Sequence, residues 1–200
     1  MRVAERAVGG LGLIMSGCVG MAGAQTQLEL DSKSGGGLFA RMWRTSACLE
    51  AGKAEYPSIE RNAKGELILM FTQIAEDRAE GVLALSVSRD EGKTWSDPRT
   101  IYQAPTVTPK AMGTLTRLDS GKLLAPFVAG DVVRMLVGEG GKRWRASDPI
   151  DCSPLQDAAP YGKIVSLGPE LLMPLFGKLP AAGREAPCSG VLRSTDSGKT

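Results

Sequence analysis

Short apolar runs separated by glycine-bearing turns recur along the chain, and each pair of runs reads as a β-hairpin. The first pairs Ser58-Ile59 with Leu67-Ile68-Leu69-Met70-Phe71 across Asn62-Ala63-Lys64-Gly65. The second pairs residues 114–118 with 123–127 across Asp119-Ser120-Gly121, and the third pairs 164–167 with 171–175 across Gly168-Pro169. After a loop, each hairpin is followed by a third apolar strand: Val82–Ser88, then 132–137, then 191–194.

Every third strand runs into an acidic turn. Ser88, Asp90, Gly92, Thr94 and Trp95 follow the order S-x-D-x-G-x-T-W, and Ser194, Asp196, Gly198 and Thr200 repeat it. Between them lies a degenerate copy in which Glu139 replaces Asp and Arg143 replaces Thr, while Gly141 and Trp144 keep their places. Gly92, Gly141 and Gly198 are 49 and 57 residues apart. Repeats of this length, all strand and glycine turn, predict consecutive blades of a β-propeller. The motif residues suit a structural role: the aspartate fixes the turn through nearby N–H groups, glycine supplies a left-handed backbone, and the tryptophan packs across the hairpin.

Composition agrees with a turn-rich all-β protein, since 25 glycines and 12 prolines accompany 42% apolar residues. A net charge of +2 with no basic run gives no support for nucleic-acid binding. The chain has no histidine, which excludes histidine-dependent triads and histidine metal sites within these residues.

Residues 1–24 read as a signal peptide, with Arg2 and Arg6 leading an uncharged stretch that ends at Ala22-Gly23-Ala24. Six glycines break that stretch, so it predicts export to the periplasm or medium and no transmembrane span. Ile14-Met15-Ser16-Gly17-Cys18 approximates a lipoprotein box, the alternative being an outer-membrane lipid anchor at Cys18. Residues 25–37 form a polar, glycine-ending lead-in. An oxidising compartment allows one disulfide, for which Cys152 and Cys188 are the nearest pair.

The two acidic turns are Asp boxes, also called BNR repeats, and residues 38–200 resemble the sialidase (neuraminidase) superfamily. The resemblance implies a six-bladed propeller of which about three blades are present, over about 50–104, 105–155 and 156–200, making this region an N-terminal half. It also implies an exported glycoside hydrolase, exo-α-sialidase-like, that acts on terminal sugars of glycans without cofactor or metal.

Carried over residue by residue, the resemblance is uneven. Sialidases hold a substrate carboxylate with three arginines. The first arginine is replaced within Glu55-Tyr56-Pro57, and Gln73 stands nearest the second. Asp77, in the loop Glu76-Asp77-Arg78, matches the general acid/base; a solvated charged turn is the other reading of that loop. Glu55 is then a second candidate catalytic carboxylate for a neutral sugar, with Gln73, Arg78 and Arg44 as candidate substrate-binding groups. The family's tyrosine nucleophile lies beyond Thr200. The alternative function is a non-catalytic Asp-box propeller that binds glycan or protein, motivated by the altered clamp at Glu55 and Gln73.

Overall fold

The computed structural model describes residues 26–29, 41–44, 53–74, 80–181, 184–196 and 198. These residues contain no helix and form antiparallel sheets. Strands β1 (Thr26–Glu29) and β2 (Arg41–Arg44) pair with each other. Sheet one is a meander of β3 (Lys53–Arg61), β4 (Leu67–Ile74), β5 (Val82–Ser88) and β6 (Arg99–Tyr102). Sheet two repeats it with β7 (Thr116–Arg117), β8 (Leu123–Ala129), β9 (Val132–Glu139) and β10 (Arg143–Ala146). In sheet three, β13 (Glu170–Ala181) pairs on one edge with β14 (Arg184–Ser194) and on the other with both β11 (Gln156–Pro160) and β12 (Val165–Leu167). The signal-peptide and lipid-anchor expectations, and Cys18, lie outside the described residues.

The inner strand of each sheet is interrupted, which the hairpin pattern did not predict. In sheet one the register slips between Glu55 and Ser58, around Tyr56-Pro57. Sheet two pairs Lys110 with Val128, then resumes at Thr116 opposite Leu124. Sheet three breaks between β11 and β12.

Proline explains the last two gaps. The amide and carbonyl of a strand residue point to the same neighbour, so a proline leaves that neighbour without one bond. Pro126 and Pro174 turn their carbonyls to the inner strand and accept from Gly113 at 3.2 Å and Tyr161 at 3.1 Å. They have no N–H to return. Gly113 lies so close that a Cβ there would sit 2.3 Å from the Pro126 ring. In sheet one the equivalent central-strand residue is Met70, and the proline is on the inner strand instead.

The sheets pack face to face. Ile68, Met70, Leu83 and Leu85 of sheet one meet Leu115, Leu123, Phe127 and Leu136 from the sheet-two region in one buried cluster. Leu124, Val128 and Val133 on the other face of sheet two meet Ala159, Leu171, Met173 and Leu175. Central strands are covered on both faces, which is why they read as continuous apolar runs.

Inner strands meet inner strands and outer strands meet outer strands. The N–H of Leu115 donates to Ser58 Oγ at 2.7 Å, and Ile164 donates to Thr116 Oγ1 at 3.2 Å. On the outside, Arg99 of β6 donates to the carbonyls of Lys142 and Gly141 at 2.8 and 2.9 Å. Glu60 gathers all three sheets: its Oε2 accepts from Lys163 Nζ at 2.8 Å and from the Arg117 N–H at 3.4 Å. Burial opposes ionisation of Glu60, but its bonds from Lys163 and from the Arg61 N–H hold the carboxyl below the usual range.

Candidate functional site

The two ends of the sheets differ in chemistry. One end carries the acidic turns. Ser88 Oγ accepts from the Gly92 N–H at 2.8 Å and donates to Asp90, while Asp90 accepts from the Thr94 N–H at 2.8 Å and from the Thr94 hydroxyl. Trp95 Nε1 donates to the Gly92 carbonyl at 3.1 Å. First the Thr94 hydroxyl, then the Thr94 N–H, hold the Asp90 carboxyl down to about 2. In the later copy Ser194 Oγ again accepts from Gly198, at 2.9 Å, and donates to Asp196, at 2.8 Å. Thr200 lies outside the described residues. These atoms are used up within their own turns.

A cleft of about 460 Å³ also opens at this end, between sheets two and three, floored by Leu118, Leu124 and Val137 and rimmed by Lys122, Arg143 and Arg145. It is remote from Glu55, which stands at the opposite end of the strands.

At that opposite end the structure separates two residues that the sequence assigned to one clamp. Glu55 is registered with Thr72, and Gln73 with Ala54. Directly opposed residues leave a sheet on one face and successive residues on opposite faces. Glu55 therefore shares the Thr72 face, toward sheet two, and Gln73 leaves on the other. Glu55 is exposed and Gln73 half-buried.

The structure anchors residues 109–111 on Thr72, the register partner of Glu55. Thr72, fully buried, donates from Oγ1 to the Pro109 carbonyl at 3.1 Å and accepts from the Ala111 N–H at 3.0 Å. Lys110, between those two bonds, is exposed and pairs with Val128, so it leaves on the Val128 face, toward sheet three and away from Glu55. Next to Glu55 along the chain stands Tyr56, 37% exposed and held at φ 54°. A non-glycine residue in that region is strained and marks a site worth functional attention. The same device recurs in sheet three, where Asp157 sits at φ 50° and pairs with Lys178 Nζ at 2.8 Å. Reading the sequence missed this anchor, because nothing in its neighbours signals that residues 109–111 bond to Thr72.

Asp77 and Arg78 lie outside the described residues. The base of their loop is fixed: the Gly81 N–H donates to Thr108 Oγ1 at 2.8 Å, and a Cβ at Gly81 would stand 2.7 Å from the Gln73 carbonyl. Arg44 ends β2, opposite Thr26. Cys152 and Cys188 are free thiols, both half-buried, so the allowed disulfide is not formed. Burial, then the neighbouring Asp151, pushes the Cys152 thiol up. No cluster of three or more metal-ligating side chains occurs among the described residues. No helix there is long and apolar enough to cross a membrane.

No family model matches the chain, and no curated protein matches it. Solved structures do. A protein of unknown function from Dyadobacter fermentans superposes with a TM-score of 0.59 at 19% identity, over 74% of this chain and 53% of that one. A structure titled for the GH130 family of mannoside phosphorylases, containing glycoside hydrolases that target β-1,2 mannosidic linkages in Candida mannan, gives 0.52 at 14% identity, over 86% of this chain and 63% of that one. A glycosyl hydrolase from Bacteroides ovatus gives 0.51 at 16% identity, over 88% and 63%.

At these identities the likeness is one of fold. One of these structures is titled for GH130, one for a glycosyl hydrolase and one is of unknown function; none is titled a sialidase. The expected membership of the sialidase superfamily is thereby corrected. The reason is physical: the Asp box encodes a self-satisfied hairpin turn, so it specifies a blade corner and says nothing about a site at the other end of the strands. The chain spans between 53% and 63% of the length of these three structures.

Proposed function

We propose that the three sheets are consecutive blades of a propeller and that the protein acts on glycosides at the end of the inner strands opposite the Asp boxes. The observation that carries this reading is the exposed Glu55 beside the strained Tyr56, at the break of the inner strand of sheet one. It is supported by the glycosidase folds among the similar structures. Glycoside hydrolysis needs a carboxylic acid to protonate the leaving oxygen and commonly a second carboxylate to act on the sugar or a water. Glu55 and Asp77 are assigned to that pair. Tyr56 would hold the sugar by contact with its aromatic face.

The test is turnover of a panel of aryl glycosides, mannosides included, by the whole protein. Glu55→Gln and Asp77→Asn are each expected to lower kcat at least about a hundredfold, the usual scale of general acid–base catalysis. Unchanged turnover in both variants removes these carboxylates from the mechanism.

A second reading, a non-catalytic glycan binder, is favoured by the separation of Glu55 and Gln73 onto opposite faces, which leaves Glu55 without that polar neighbour in the hollow. Binding of oligosaccharide with no release of sugar would select it. Export follows from residues 1–24, and a mature N-terminus at Gln25 is the expected result of N-terminal sequencing.

A further inference from the structure

From the level of Met70, Pro126 and Pro174 toward the Glu55 end, the central hairpins of the three sheets differ in length. β4–β5 and β8–β9 stay paired for three residues more, to Gln73 with Val82 and Ala129 with Val132. β13–β14 stay paired for seven, to Ala181 with Arg184. β11 accompanies β13 only as far as Lys178. Residues 179–181 and 184–186 are therefore a two-stranded ribbon among the described residues, and at about 3.3 Å per residue the longer hairpin overtops its neighbour by about 13 Å. Both open edges of the ribbon are blunted. The Pro174 carbonyl points to the inner edge, so Pro180, on the same alternation, has its missing N–H on that edge, where β11 no longer runs. Pro187, registered with Lys178, has its missing N–H on the outer edge of β14. Prolines so placed keep a further strand from adding to the ribbon, which leaves its faces to act.

One of those faces overlooks sheet two. Leu171, Met173 and Leu175 are buried against sheet two, so Leu179, on the same alternation, looks the same way from beyond the core, 36% exposed, with Ala186 opposite it. Sheet two is low there: β8 returns into β9 through Gly130-Asp131 alone, with Gly130 at φ 63°. Asp131 is exposed at that turn, and the exposed Lys110 leaves on the Val128 face toward sheet three. The result is a passage with an apolar wall, a short floor and one charged group of each sign. A sugar chain matches it, with C–H faces for the wall and hydroxyls for the charges. Glu55 faces sheet two from sheet one, whereas the passage lies beyond sheet two, about 10 Å further by the usual spacing of packed sheets. A sugar held at Glu55 cannot fill it, but the chain attached to that sugar can. We infer that the passage between the β8–β9 turn and the β13–β14 ribbon is an outlying subsite for the continuation of an oligosaccharide whose reacting sugar lies at Glu55. The inference rests on the glycoside reading.

The test compares, in the whole protein, turnover of the aryl monoglycosides of the panel with release of monosaccharide from the tetrasaccharide of the same sugar. Two variants are used: residues 178–187 replaced by Gly-Asp, the turn that sheet two itself carries, and Lys110→Ala, a surface change that folds if the shortened ribbon does not. Each is expected to raise KM for the tetrasaccharide about tenfold and to leave KM for the monoglycoside within about twofold, the mark of lost binding away from the reacting sugar. Equal changes on both substrates, or none on either, overturn the subsite. Faster tetrasaccharide turnover after shortening also overturns it, by making the ribbon a barrier. If the parent turns over no glycoside, the glycoside reading fails as catalysis, and calorimetric titration with the tetrasaccharide decides the subsite. Binding weakened about tenfold by Lys110→Ala, or about 1.4 kcal/mol, supports it; binding that is unchanged, or absent in the parent, overturns it.

Discussion

The turn after β5 and the turn after β9 occupy the same corner of successive sheets and are held there by different means. In the first, Ser88, Asp90 and Thr94 form a closed set of side-chain bonds to the turn's own backbone. In the second, Val137, Glu139 and Arg143 stand at those positions and none of those bonds is made among the described residues. Both nevertheless keep the same backbone bond: Lys93 N–H donates to the Asp90 carbonyl at 3.4 Å, and Lys142 N–H to the Glu139 carbonyl at 3.2 Å. Both place glycine at positive φ, 84° for Gly92 and 73° for Gly141. The second turn is gripped from outside instead, by Arg99 on two of its carbonyls and by close approach to Ile68 and Asn62 of sheet one. A corner can therefore lose its internal polar set when a neighbouring blade supplies the bonds. Glycine and tryptophan are what both corners keep.

The tryptophans sharpen the contrast. Trp95 satisfies its Nε1 on Gly92, whereas Trp144 Nε1 is buried with no partner. Trp144 gains contact in exchange: its ring lies over Gly138, where a Cβ would meet three ring atoms at 2.8–2.9 Å. Gly138→Val is thus expected to be the most damaging change in either corner, lowering unfolding free energy by about 2 kcal/mol or more, as overpacking does. Chemical denaturation measures it, and the matching change in the first corner, Arg89→Val, should be near neutral because Arg89 is exposed. Equal losses at the two positions would dissolve the distinction.

Gly141→Ala comes next, at about 1 kcal/mol or more, from its positive φ and from Ile68 at 3.4 Å. Arg99→Ala should cost about 1 kcal/mol through the two carbonyls it leaves unbonded, and it should make the second corner, not the first, exchange its amides faster.

The smallest effect concerns acid. The Asp90 carboxyl is depressed from 3.8 to about 2, so it contributes stability above its unfolded value that is lost as pH falls through the folded one. Melting temperature between about pH 5 and pH 2 should fall less steeply in Asp90→Asn than in the parent.

The hairpins and the acidic corners were legible in the sequence because each is written in contiguous residues: an apolar run, a glycine turn, a spaced polar motif. The breaks in the inner strands were less so. Pro126 and Pro174 are visible, but their effect falls on the strand opposite, and Gly113 is required only because Pro126 comes against it. The candidate site was the least legible part. Glu55 and Gln73 look adjacent in a hairpin reading, yet their register, Glu55 with Thr72 and Gln73 with Ala54, sends them to opposite faces. The Lys110 placement depends on a buried threonine 38 residues earlier, a relation no local pattern carries.

Glu60 gives the molecule's axis a mechanical character. With one carboxylate shared between the Lys163 ammonium and the Arg117 amide, none of the inner edges can swing outward at that depth without stripping a donor from a charged oxygen. The three inner edges are in effect riveted at that depth, so any relative movement between them falls to the end where Glu55 and Tyr56 stand.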